Sequence, residues 1–86
     1  MNAYLVEIRP RADRAVNSLD SRVREAVLLK AYALGRDPRP HGSLKLHGAP
    51  ARYRIRVGDY RIVYAIDDES RTVTVLDVGH RSQVYR

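Results

Sequence analysis

The chain has 86 residues, 44% hydrophobic and 30% charged, enough for one core and too few for a second, so a single domain over residues 1–86 is expected. Without cysteine there are no disulfides or thiolate metal sites, and the short apolar run before Glu7 resembles neither a signal peptide nor a membrane span, so a soluble, cytoplasmic chain is expected. The net charge is +6 and fourteen of the sixteen cations are arginine, whose forked donors match phosphate and carboxylate, so the expected partners are nucleic acid or an acidic protein segment.

The first apolar segment alternates Tyr4, Val6 and Ile8 against Leu5 and Glu7, which predicts a strand closed by Pro10. The period then changes. Ala12, Ala15, Val16 and Leu19 form one helical stripe, with Arg11, Arg14 and Asn17 turned outward. Asp20 or Ser21 caps a second helix with the stripe Val23, Ala26, Val27, Ala31 and Leu34, ended by Gly35 and Pro38. Its outer charges Arg22, Arg24 and Lys30 read as a solvated surface. Residues 36–51 carry three of the four prolines and predict a connecting loop with one extended stretch at 43–46. Three further strands are predicted at 53–57, 60–66 and 72–78, joined by Gly58-Asp59 and by residues 67–70. The expected fold is α+β, two N-terminal helices packed on one face of a small, mainly antiparallel four-stranded sheet.

A two-residue turn at Gly58-Asp59 sets Arg56 opposite Arg61 and Arg54 opposite Val63. Tyr53, Ile55, Val57, Tyr60, Ile62, Tyr64 and Ile66 then face the helices, while Arg54, Arg56 and Arg61 share the other face. Like charges directly opposite on a sheet are destabilising, so stability does not account for this pair; an anion between them would. The last strand runs back toward Arg61, and Gly79 allows it to leave the sheet there, bringing His80, Arg81 and Tyr85 toward the same open face. Such a cluster grips a phosphodiester and stabilises the charge added as phosphorus becomes five-coordinate. His41 and His47 lack metal-ligand spacing, so neither metal nor cofactor is expected. Asp67, Asp68 and Glu69 read as turn acids that point apart into water.

The stretch YRIRVGDYRIVYAIDD, the Leu46-x-Gly48 before it, and the terminal VGHR with a tyrosine four residues later resemble the RelE branch of the RelE/ParE toxin superfamily. The resemblance is strongest over residues 45–86; the first half agrees in layout only. It implies a RelE-like fold and a metal-independent endoribonuclease that cuts messenger RNA in the ribosomal A site by attack of a 2′-hydroxyl on the adjacent phosphate. Carried over by position, the catalytic residues are Arg54, Arg56, Arg61, Arg81 and Tyr85, with Arg52, His80 and Lys45 assigned to RNA binding. Some members have lysine at the positions of Arg54 and Arg56; arginine does not exchange protons near neutrality, which leaves His80 and Tyr85 to titrate. The implied partners are a cognate antitoxin with an acidic segment, in a hetero-oligomer, and the ribosome with its messenger. Two alternatives share the scaffold: a ParE-like gyrase poison and an inactive antitoxin-binding module.

Overall fold

The computed structural model describes residues 3–47 and 52–82. In chain order the elements are β1 (Leu5–Ile8), α1 (Pro10–Asn17), α2 (Ser21–Ala33), β2 (Leu44–Lys45), β3 (Arg52–Val57), β4 (Tyr60–Asp67) and β5 (Thr72–His80). The strands form one sheet in the order β1-β5-β4-β3-β2. β1 runs parallel to β5 and the other neighbours are antiparallel. The sheet therefore has five strands, not four, and is mixed. The added strand is the two-residue β2, inside the stretch expected to be extended, and it pairs with β3 at that strand's outer edge.

Local chemistry accounts for the helices. Pro10 opens α1, where its missing N–H costs nothing and its ring pre-sets the backbone. Asp20 caps α2 by accepting the N–H groups of Arg22 and Val23, both at 3.1 Å. Ala12, Val16, Val27, Ala31 and Leu34 pack on Ile55, Ile62, Tyr64, Ile66, Val73, Val75 and Val78 of the sheet, so the helices cover one face. Ala26, expected in the buried stripe, is exposed beside a hollow bordered by Val57 and Tyr60. No helix among the described residues is long and apolar enough to cross a membrane.

Two features position the opposite face. The β3–β4 register has Val57 opposite Tyr60, Arg56 opposite Arg61, Ile55 opposite Ile62 and Arg54 opposite Val63. The tight turn that sets it needs a left-handed residue, supplied by Gly58 at φ +61°. In β5, Val63 pairs with Asp77 but Tyr64 pairs with Val75, so Leu76 is an extra, bulged residue. The bulge reverses the alternation. Val73 and Val75 face the helices, and so do Val78 and His80 beyond it, while Asp77 and Gly79 turn to the open side.

At the far end of the sheet a polar clasp ties four segments together. Arg39 donates from both terminal nitrogens to Asp68, at 2.8 and 3.3 Å, and from Nε to the Tyr53 hydroxyl at 3.1 Å. The Tyr4 hydroxyl donates to the same carboxylate. The Arg39 guanidinium also lies 5.4 Å from the Tyr53 ring centre, and Tyr53 stacks on Tyr64 at 5.8 Å. Tyr64 is fully buried and donates its hydroxyl proton to the Pro38 carbonyl at 2.8 Å, which anchors the loop after α2. Asp68, expected to point into water, is thus the anchor of this clasp. Asp67 accepts the N–H groups of Glu69 and Ser70 and shapes the turn.

Candidate functional site

The open face of the sheet is organised in cross-strand rows. Nearest the hairpin tip lie Arg56, Arg61 and Gly79; the next row holds Arg54, Val63 and Asp77; the one after that holds Arg52, Ala65, Thr74 and Glu7. Successive rows on one face are about 7 Å apart, since each strand residue rises about 3.4 Å. Gly79, paired with Arg61, brings no side chain of its own to the first row.

Burial separates the arginines. Arg56 is exposed, whereas Arg54 and Arg61 are partly buried, with their Nε atoms shielded from solvent. Stems held against the sheet restrict the guanidinium groups, so less freedom is lost when an anion arrives. Arg81 follows β5 directly. Its N–H donates to the Asp59 carbonyl at 2.8 Å, which ties its backbone to the tip of the β3–β4 hairpin. It lies two residues beyond Gly79, past the row that contains Arg61 and level with the hairpin turn.

Of the residues expected in the site, the structure places Arg52, Arg54, Arg56 and Arg61 on this face and starts Arg81 beside it. It does not bring His80 there. The bulge at Leu76 sends His80 to the helix side, where it pairs with Tyr60 across the ladder and meets its ring edge-on at 5.5 Å. Its Nδ1 lies 3.0 Å from the Ser82 hydroxyl. Lys45 is also displaced: β2 sets it opposite Tyr53, and cross-strand partners share a face, so it belongs to the helix side as well. Tyr85 lies outside the described residues. The open face also carries Asp77, 3.3 Å from Arg11 of α1. Simple alternation from Val73 and Val75 assigns it to the core, and only the bulge contradicts that.

A family model described as the ParE toxin of type II toxin–antitoxin systems matches residues 2–85. The chain is 36% identical over 84 residues to Toxin RelG of Mycobacterium tuberculosis, covering 96% of this chain and 97% of that one. It belongs to the RelE/ParE family of toxins. It is also 37% identical over 87 residues to the mRNA interferase toxin RelE of Escherichia coli, covering 96% of this chain and 90% of the relative. Two solved structures superpose closely. The toxin–antitoxin complex RelBE2 from M. tuberculosis matches with TM-score 0.81 at 34% identity, over 92% of this chain and 99% of the other. The intact E. coli RelBE toxin–antitoxin complex matches with TM-score 0.80 at 34% identity, over 98% and 100%. Two helices on a small sheet with an open arginine face are thus this RelE-type toxin's version of a shared scaffold, and the expected fold class holds apart from the strand count and the parallel edge.

Proposed function

We propose that this toxin is a ribosome-dependent endoribonuclease that cuts messenger RNA by attack of a ribose 2′-hydroxyl on the adjacent phosphate. The observation that carries the reading is the Arg56–Arg61 pair, set directly opposite across the ladder with Arg54 one row away. Like charges level with each other on a sheet are unfavourable in themselves, and a phosphate bound on this face would offset that cost. Relatives named mRNA interferase RelE add support.

In this mechanism Arg54, Arg56 and Arg61 hold the non-bridging oxygens and offset the charge that grows on them. The 2′-oxygen loses its proton as it bonds to phosphorus. The bond from phosphorus to the 5′-oxygen breaks, and that oxygen takes up a proton, leaving a 2′,3′-cyclic phosphate and a free 5′-hydroxyl. Arg81 neutralises the departing oxygen. Guanidinium groups do not give up protons near neutrality, so the arginines act through charge and position rather than as bases. Tyr85 takes the aromatic role, base stacking or proton transfer. Ribosome and messenger position the strand, and the messenger supplies the nucleophile.

The proposed protein partner is a cognate antitoxin with an acidic, amphipathic segment that neutralises part of the arginine face. Solved relatives are complexes of toxin with antitoxin. The exposed Leu29 and Tyr32 of α2, beside Arg22, Arg24 and Glu25, offer an apolar surface with a mixed, net cationic edge for such a segment. The deciding experiment maps 5′ ends after purified toxin meets programmed ribosomes. Cuts within the A-site codon that need no added metal beyond the ribosome's own are expected. Intact messenger together with inhibited gyrase supercoiling would replace this reading with the ParE-like one.

A further inference from the structure

We infer that Asp77, with Arg11 behind it, lines a nucleobase subsite one nucleotide step from the phosphate cluster, selective for a base that bears an exocyclic amino group. The inference rests on the ribonuclease reading and adds the specificity of the same face. A hollow of about 250 Å³ lies on the open face, bordered by Arg11, Arg52, Val63, Leu76 and Asp77. Its apolar part is Val63, nearly buried, and the bulged Leu76, a surface on which the flat side of a base can rest. The row of Asp77 lies about 7 Å from that of Arg61, close to the repeat of an extended nucleotide chain.

The hollow holds one carboxylate, Asp77, between the guanidinium groups of Arg11 and Arg52, which distinguishes it from the all-cationic row beside it. A carboxylate beside a phosphate-gripping cluster repels the RNA backbone and weakens binding unless it meets a donor. Nor does the ion pair explain Asp77 through stability. Arg11 is 77% exposed on its side chain, and exposed pairs of this kind contribute little. The acid reaches the face only because of the bulge at Leu76, a device that re-aims side chains beside functional sites.

The donor set has a definite sense. The Val78 N–H donates to Asp77 Oδ1 at 2.9 Å, and Arg11 Nε lies 3.3 Å from Oδ2, which fixes the carboxylate and leaves lone pairs on both oxygens. An amino-bearing base offers an N–H to the carboxylate and an adjacent acceptor to the Arg11 guanidinium. Uracil has no amino group: its one donor on that edge, N3–H, sits between two carbonyl oxygens, so when it meets the carboxylate and one carbonyl meets Arg11, the other carbonyl faces a carboxylate oxygen acceptor to acceptor. Such hydrogen-bond matching discriminates bases by factors of roughly ten or more.

The test measures single-turnover cleavage by the full-length toxin on programmed ribosomes, with each nucleotide flanking the cut varied through all four bases. At one flanking position the parent is expected to disfavour uracil by about tenfold. Asp77→Ala should bring that ratio within about twofold, and Asp77→Asn, whose amide both donates and accepts, should raise cleavage at uracil in particular. Arg11→Gln should weaken the same discrimination from the helix side, and thermal melting of each variant shows whether the fold is retained. If the parent cleaves and folded Asp77 variants keep its order of bases, the inference is wrong. Uniformly faster cleavage at every base would make Asp77 a counter-charge only and would also overturn it. A parent that cuts no codon would remove the ribonuclease reading itself.

Discussion

Two groups of arginines at opposite ends of one sheet use the same side chain for different purposes. At the far end, Arg39 forks onto Asp68, lies over Tyr53 and is joined there by Tyr4. The carboxylate and the guanidinium meet there, and the cluster links the residue before β1, the loop after α2, β3 and the β4–β5 turn. Near the hairpin tip, Arg56 is set against Arg61 by the ladder itself. Arg39 is bound to a carboxylate from a distant turn, whereas the strand register of Arg56 and Arg61 brings two cations level across the ladder. The contrast separates them more sharply than exposure does, because Arg39 and Arg56 are both exposed.

The largest effect that would break this comparison is on catalysis. Arg61→Ala should lower single-turnover cleavage by roughly two to three orders of magnitude, the usual consequence of removing one preorganised charge partner, with the melting temperature nearly unchanged. A variant that cuts like the parent would mean that the like-charge row is not the phosphate site. Arg39→Ala should do the reverse, lowering the melting temperature while folded enzyme cuts at close to the parental rate.

Alkaline titration sharpens the other half. Burial pushes the Tyr64 phenol up to about 12. A folded-state value above the unfolded one of about 10 means that the folded state keeps its proton when the unfolded state has lost it. The stabilisation is complete below about pH 10 and is lost as pH rises toward 12, on the order of 3 kcal/mol in all. Denaturant melts across that range should show the decline, and Tyr64→Phe should flatten it. The variant should also be less stable at neutral pH, by about 1–2 kcal/mol, because the Pro38 carbonyl loses its donor.

A smaller, acid-side effect belongs to Asp68. The hydrogen bonds from Arg39, and then that from Tyr4, hold its carboxyl below the usual range. Its contribution is present above the unfolded value of about 4 and fades as pH falls through the lower folded value. Asp68→Asn should therefore melt lower than the parent at pH 6 and converge on it in strong acid. The smallest effect is expected at His80, which the bulge turns away from the arginines. His80→Gln should leave cleavage within about twofold of the parent from pH 5.5 to 7.5, a range in which an imidazole on the site would show a step. A vanished inflection would return His80 to the chemistry.

Much of this was legible in the sequence because it depends on neighbours along the chain. Two-residue alternation and a Gly-Asp turn determine a hairpin register, and so the opposition of Arg56 and Arg61, before any tertiary contact forms. Helical stripes and the Asp20 cap place both helices in the same way. Only the tertiary structure decided the rest. Pairing of β5 with β4 on one side and β1 on the other accommodates one surplus residue, and the bulge at Leu76 exchanges the faces of everything beyond it, sending His80 inward and Asp77 outward. The two-residue β2 exists because β3 offers it an edge, and that pairing takes Lys45 to the helix side. Asp68 looked like a solvated turn acid because its partners Tyr4 and Arg39 are 64 and 29 residues away, a separation that local pattern cannot span.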